Sequence, residues 1–128
     1  MEHKDSPATY LHGFSKEEQA RLREQARFAE TSIYRDIDFS SIENLLEVGM
    51  GVGAQTEILL RRFPEINITG IEKSPVQIEN AESYLKTLPW AENRFKVLQM
   101  DAETMELDNA SMDAAFLCWV LEVRLQNR

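Results

Sequence analysis

Residues 45–54 read LLEVGMGVGA, an apolar strand that runs into a glycine-rich turn, and a helix is predicted from there to about Phe63. Glycine adopts backbone angles that other residues avoid, and because it has no Cβ a ligand can approach the main-chain N–H groups. Those N–H groups lie at the electropositive start of the predicted helix. Gly49, Gly51 and Gly53 therefore predict a loop that binds a nucleotide-type cofactor.

An acidic residue follows the turn at an informative distance. Glu72 closes the next apolar run, residues 67–71, where a carboxylate is expected to hold ribose hydroxyls. Lys73 comes directly after it and would flank the ribose site. A charge that merely ends a strand is the alternative interpretation of Glu72.

The glycine pattern alone permits two cofactors. Gly49, Gly51 and Ala54 also satisfy the dinucleotide fingerprint, with alanine at its third small position. Glu47 lies two residues before the first glycine, where a carboxylate would repel a pyrophosphate and attract an ammonium or a sulfonium. S-adenosylmethionine carries both of these cations, so Glu47 favours it over a dinucleotide.

A second acidic position supports the same cofactor. Asp101 and Ala102 follow the apolar run of residues 95–100, and an aspartate at this place can accept a hydrogen bond from an adenine amino group. A dinucleotide site does not require it. The alternative is that Asp101 caps the turn before Thr104.

Taken together, residues 47–53, Glu72 and Asp101 with Ala102 resemble the successive motifs of class I S-adenosylmethionine-dependent methyltransferases. The resemblance extends from Asn44 to about Glu122. Within it, the stretch from Asp101 onward is similar to the small-molecule branch of the family. The resemblance implies S-adenosylmethionine as cofactor, lying across the carboxyl ends of the first two strands. The family fold is a seven-stranded sheet, so the chain is expected to match about its first half and to be truncated relative to that fold.

No catalytic residue is assigned from the sequence. Cys118 ends the predicted fourth strand, close to where the reactive methyl group should project, although a buried small hydrophobe is the alternative. His12 or Tyr10 could act as a general base only if the segment before the first helix folds across the strand ends. No paired set of histidines or cysteines predicts a metal site.

Composition limits the classes of partner. The chain has 128 residues, 43% of them hydrophobic, which suffices for one small domain. Its net charge of −8 disfavours nucleic acid and anionic membranes and suits a small-molecule methyl acceptor. A single cysteine excludes an internal disulfide, and the polar N-terminus lacks an apolar signal segment, so a cytoplasmic location is predicted.

The chain is predicted to comprise a flexible leader (1–14), an amphipathic helix (15–35) and a partial cofactor-binding domain (36–128). Leu22, Ala26, Ala29 and Ile33 recur at helical spacing and should pack on the domain. Strands and helices then alternate, which predicts an α/β fold, a Rossmann-like, doubly wound parallel sheet of strand order 3-2-1-4. The predicted strands span residues 44–49, 67–72, 94–100 and 112–119, and the crossover helices span 54–63 and 75–87.

Three functions follow from these patterns. The favoured one is methyl transfer from S-adenosylmethionine to a small molecule. The alternatives are an incomplete, non-catalytic half-domain that binds S-adenosylmethionine and, with weaker support, a dinucleotide-binding domain. The apolar run of residues 114–121 also predicts self-association through the outer edge of the fourth strand.

Overall fold

A computed structural model describes residues 16–104 and 111–117. Short 3₁₀ turns span Pro89–Ala91 and Ala102–Thr104. The helices and strands are, in chain order, α1 (Lys16–Phe28), α2 (Glu30–Tyr34), β1 (Asn44–Val48), α3 (Ala54–Arg62), β2 (Asn67–Glu72), α4 (Pro75–Leu85), β3 (Phe95–Gln99) and β4 (Ala114–Leu117).

The strands form one parallel sheet in the order β3-β2-β1-β4. In its register Glu47 lies between Gly70 of β2 and Phe116 of β4, and Glu72 lies opposite Gln99 of β3. The Rossmann-like parallel sheet and its predicted strand order are confirmed. All four strands therefore point their carboxyl ends to the same edge, which is where ligands bind in open sheets of this type.

Local sequence explains where these elements begin and end. β1 stops at Val48 because Gly49 takes a positive φ of 70°, which a strand does not accommodate. α4 begins with Pro75 in its first turn, and the Ser74 hydroxyl accepts a hydrogen bond from the Gln77 N–H at 3.3 Å. Serine is a favoured N-cap residue, and proline is tolerated in the first turn because its missing N–H would have no partner there.

The two faces of the sheet carry different side chains. One face contributes Leu45, Ile68 and Phe116 to a core that includes side chains from α1, α2 and α3. α4 packs on the same face through Ala81 and Leu85, against side chains that include Phe95 and Val97 of β3. A second cluster on the opposite face contains Leu46, Val48 and Ile71, packed with Leu98, Met100 and Met112.

The N-terminal helical region differs from the predicted single helix. Ala29, with φ −90° and ψ 2°, separates α1 from α2. The hydrogen bonds from Ala29 N–H to Gln25 and from Ile33 N–H to Ala29 persist, so the interruption is local. It accompanies burial of Tyr34, whose ring stacks on Phe116 with centroids 5.6 Å apart.

The predicted packing of this region holds in part. Ala26 is buried, and Leu22, Ala29 and Ile33 are half-buried. Arg23, which is not one of these four residues, is buried as well.

Within residues 16–104 and 111–117, no helix is long and apolar enough to cross a membrane. The predicted leader (1–14) and the tail from Cys118 onward lie outside the described residues, as do Tyr10 and His12. A cytoplasmic location stays a prediction.

Candidate cofactor-binding site

The three turn glycines all have positive φ, at 70°, 56° and 85° for Gly49, Gly51 and Gly53. A Cβ placed on Gly49 or Gly51 would meet no atom within 4 Å, so the open space above these residues is available to a ligand. A Cβ on Gly53 would lie 3.5 Å from both Ala81 and Leu85 of α4. Gly53 therefore serves close helix packing as well as the turn, whereas the first two glycines face open space.

The turn is held to the sheet by main-chain hydrogen bonds. The N–H groups of Gly49 and Met50 donate to the Ile71 carbonyl at 2.9 and 3.2 Å, and Gly53 N–H donates to the Met50 carbonyl at 3.0 Å. The Met50 side chain lies over Gly70 of β2, where any Cβ would collide with its sulfur. Sequence reasoning passed over Gly70, although a glycine inside a strand is a signal of close approach.

Glu72 bridges the turn and the start of α4. Its Oε1 accepts the Gly51 N–H at 2.9 Å and its Oε2 accepts the Ser74 N–H at 3.2 Å. The structure thus brings Glu72 against the glycine turn, and its contact with ribose hydroxyls stays a prediction. A carboxylate offers about four acceptor positions, so two of them stay available beside these amides.

Glu47 is buried beneath the first turn of α3, with 3% of its surface exposed. The Thr56 hydroxyl donates a hydrogen bond to its Oε1. Burial raises the pKa of Glu47 to about 8; the Thr56 hydrogen bond opposes this shift and the negative charge of Glu72 adds to it. The carboxyl group is thus mainly protonated at neutral pH, whereas the sequence argument assumed a carboxylate. A cation bound nearby would lower this pKa.

Asp101 adopts the capping role that was the alternative to adenine recognition. Its Oδ1 accepts the Glu103 N–H at 2.9 Å, and its carbonyl accepts the Thr104 N–H at 3.0 Å. Ala102 begins the short 3₁₀ turn that follows and is exposed. Capping leaves the second carboxylate oxygen for another donor, so an adenine contact by Asp101 stays a prediction.

Two further predicted residues add little to the described geometry. Lys73 is exposed, and its main-chain carbonyl accepts a hydrogen bond from the Gln99 amide at 3.2 Å. Cys118 lies outside the described residues, one position beyond the end of β4 at Leu117.

One residue that contacts the turn was missed by sequence reasoning. Arg23 of α1 donates from Nη2 to the carbonyl of Val52, inside the turn, at 3.3 Å. Nothing in the helical periodicity of α1 distinguishes Arg23 from its exposed neighbours, because its partner lies 29 residues away.

Other candidate sites lie apart from these residues. A groove of about 700 Å³ between α4 and β3 is lined by side chains from Glu82 to Val97 and contains none of the predicted site residues. Among the described residues, no group of three or more histidines, cysteines or acidic residues could hold a metal ion.

Comparison with known proteins decides the family. Residues 46–127 match the methyltransferase domain family. The chain belongs to this family. It is 34% identical over 87 residues to a malonyl-[acyl-carrier protein] O-methyltransferase of Paenibacillus sp. strain JDR-2, covering 67% of this chain and 31% of the relative. It is 31% identical over 80 residues to a trans-aconitate 2-methyltransferase of Escherichia coli O1:K1, covering 62% and 28%.

Solved structures agree with the fold. The mitomycin 7-O-methyltransferase superposes with a TM-score of 0.61 at 25% identity, covering 75% of this chain and 27% of that one. The chain spans about a third of the length of the curated relatives it matches.

Family membership confirms the resemblance to class I S-adenosylmethionine-dependent methyltransferases. The cofactor of this family is S-adenosyl-L-methionine. The roles of the individual site residues stay predictions.

Proposed function

We propose that this chain binds S-adenosyl-L-methionine across the carboxyl ends of β1 and β2 and serves methyl transfer to a small-molecule acceptor. The observation that carries the proposal is the bridge from Glu72 to the Gly51 N–H at 2.9 Å. It brings a carboxylate suited to a ribose diol against a turn whose glycines face open space.

The residues present fit such a cofactor. Gly49 and Gly51 leave room for it, and Glu72 keeps acceptor positions for two ribose hydroxyls. Asp101 would receive the adenine amino group on its second oxygen. Glu47, buried behind the turn, would respond to a nearby cation by losing its proton.

The cofactor, when bound, supplies a methyl group on a sulfonium, which is already an activated leaving group. The tasks left to the protein are to align the acceptor with the methyl group and to exclude water. In this chain the turn and Glu72 would fix the cofactor's position, while no described side chain is assigned as a base.

The proposed acceptor is a small molecule. The two curated relatives are named for malonyl-[acyl-carrier protein] and trans-aconitate. The acidic surface of this chain, with a net charge of −8, agrees with an acceptor other than nucleic acid.

Calorimetric titration tests the proposal. The protein should bind S-adenosylhomocysteine and should not bind NAD. Glu72→Ala should weaken binding by about 1–3 kcal/mol, the range for a lost charge-assisted hydrogen bond. Glu72→Gln, which keeps an acceptor for the Gly51 N–H, separates the ribose contact from the shape of the turn. Glu79→Ala, which removes an exposed carboxylate of α4, is the control for net charge.

Two results would overturn the assignment. One is equal affinity for S-adenosylhomocysteine in wild type and Glu72→Ala, with both folded by circular dichroism. The other is preferential binding of NAD, which supports the dinucleotide alternative. A methylation assay over a panel of small acids and alcohols then separates an active enzyme from a half-domain that only binds the cofactor.

A further inference from the structure

The N-terminal helix α1 reaches the glycine turn through one buried side chain. Arg23 is 8% exposed, and its Nη2 donates to the Val52 carbonyl at 3.3 Å. Val52 lies between Gly51 and Gly53, so this hydrogen bond falls within the turn that faces Glu72.

The hydrogen bond fixes the orientation of one peptide group. The Val52 carbonyl and the Gly53 N–H belong to the same planar peptide. The carbonyl accepts from Arg23, and the N–H donates to the Met50 carbonyl at 3.0 Å. Because both sides of the plane are held, this peptide cannot rotate without breaking a hydrogen bond. Its orientation in turn limits the conformations open to Gly51, which presents its N–H to Glu72.

A second set of contacts holds the guanidinium in place. The Arg23 Cζ lies 3.7 Å from the centroid of the Tyr84 ring on α4, a cation–π arrangement. The Tyr84 hydroxyl donates to Glu57 Oε1 of α3 at 2.9 Å, and Arg27 of α1 contacts both of these side chains. One arginine thus connects α1, α4 and the turn.

Burying this guanidinium is costly. Burial lowers the pKa of Arg23, against the opposing effects of Tyr84 and Glu57. Its Nε is buried and finds no hydrogen-bond partner in the described part of the chain. An apolar side chain at this helix position would avoid both costs, so stability alone does not account for an arginine here.

We propose that Arg23 is a positioning residue of the cofactor site, which holds the Val52–Gly53 peptide in the conformation that binds S-adenosylmethionine. α1 is then part of the site, although it precedes residues 46–127, which match the family. The inference rests on the proposed function, because it assigns the turn to the cofactor.

Three variants of the full chain test this role. Arg23→Met removes the charge and the hydrogen bond while keeping an unbranched apolar stem. Arg23→Lys keeps one donor for the Val52 carbonyl but loses the flat stack on Tyr84. Arg21→Met is the matched control, because Arg21 is an exposed arginine of the same helix that pairs with Glu18 at 3.6 Å and contacts neither the turn nor Tyr84.

The first measurement is affinity for S-adenosylhomocysteine by calorimetry, at a temperature where each variant is folded. Arg23→Met should weaken binding about tenfold or more, the equivalent of one lost hydrogen bond to a charged group. The affinity of Arg23→Lys should fall between those of Arg23→Met and the wild type, and the affinity of Arg21→Met should stay within about threefold of the wild type. Equal affinities for Arg23→Met and wild type overturn the proposal, as do equal losses in Arg23→Met and Arg21→Met.

The second measurement is amide hydrogen exchange without cofactor. In Arg23→Met the Gly53 amide should exchange faster, while the Gly49 amide, bonded to Ile71 in the sheet, should not change. Unchanged exchange at Gly53 overturns the positioning role, and equal acceleration at both amides indicates general loosening, which also overturns it. If Arg23→Met does not fold, Arg23→Lys carries the same two tests.

The two proposals fail in distinguishable ways. A folded wild type that does not bind S-adenosylhomocysteine contradicts the proposed function and, with it, the cofactor role of Arg23. A wild type that binds, together with an Arg23→Met variant that binds equally well, contradicts this inference alone.

Discussion

The two ends of α3 are built in opposite ways. At its C-terminal end the Arg94 guanidinium donates to the carbonyls of Leu60, Phe63 and Ile66, at distances from 2.8 to 3.3 Å. At its N-terminal end the helix begins after Gly53, which offers no side-chain cap. A helix end without such a cap leaves N–H groups for other acceptors.

The edges of the sheet repeat this contrast. At the amino edge, the Asp113 carboxylate accepts the N–H groups of Glu43 and Asn44 at 3.2 and 2.9 Å, which ties β4 to the start of β1. At the carboxyl edge, the glycine turn faces open space and Glu72 keeps free acceptor positions. Side chains therefore close the amino edge and stabilise it, whereas the carboxyl edge keeps groups available for a ligand.

The largest effect on cofactor affinity is expected from filling the space above the glycine turn. Gly51→Val places a branched side chain in the space above the turn, at a residue with φ 56°. Binding of S-adenosylhomocysteine should fall by about a hundredfold or more, since both the approach to the turn and its conformation are lost. Calorimetry gives the affinity, and circular dichroism should show an intact sheet. Retained affinity in a folded Gly51→Val variant would show that the cofactor does not bind above the turn.

A substitution at the C-terminal end of α3 should lower stability rather than cofactor affinity. Arg94→Met removes the hydrogen bonds from the guanidinium to three main-chain carbonyls, so the free energy of unfolding should drop by about 3 kcal/mol. Urea denaturation measures this drop, with Arg35→Met, an exposed arginine just after α2, as control. The affinity of the folded fraction for S-adenosylhomocysteine should not change. A stability loss no larger than in the control would show that Arg94 does not close this helix end.

A change at Glu47 should affect both stability and cofactor binding, because this residue is buried and lies close to the turn. Its folded pKa of about 8 exceeds the ordinary value of 4.5, so the folded state holds a proton that the unfolded state releases over this interval. The contribution of Glu47 to the free energy of unfolding should therefore be fully present below about pH 4.5. It should fall as the pH rises to about 8, with a slope of at most about 1.4 kcal/mol per pH unit.

Glu47→Gln keeps an acceptor for the Thr56 hydroxyl and removes the titration. In urea denaturation between about pH 5 and about pH 8, the stability of the wild type should fall relative to that of Glu47→Gln as the pH rises. Parallel curves would contradict protonation of Glu47 in the folded state.

The smallest effect is expected at Asp101. Asp101→Ala should weaken binding of S-adenosylmethionine by about 1 kcal/mol and leave the weaker binding of methionine almost unchanged, because only the adenine end loses an acceptor. Asp101→Asn, which can still cap the Glu103 N–H, is the control for the turn. Equal losses for both ligands would assign Asp101 to capping alone.

Short-range patterns predicted most of the fold. β2 has the predicted bounds, and β1, α3 and α4 each end within two residues of them, because apolar runs, glycines and Pro75 act locally. Spacing also singled out Gly51 and Glu72, which the structure brings into contact.

Contacts between distant residues could not be predicted in this way. The partners of Arg94 lie up to 34 residues away, and Asp113 reaches residues about 70 positions earlier. The burial of Arg23 and the fit of Met50 over Gly70 depend likewise on how elements pack. Self-association through β4, where Leu117 is 45% exposed, stays a prediction that sedimentation can test.

The most direct measurement of the central claim is a titration of the ¹⁵N-labelled protein with S-adenosylhomocysteine, followed by amide chemical shifts. The shifts should concentrate at Gly49, Gly51 and Glu72, with smaller changes near Asp101, and the Arg94 end of α3 should stay unchanged. Shifts that concentrate instead along the groove from Glu82 to Val97, or that are absent in a folded protein, would contradict the placement of the cofactor at the carboxyl edge.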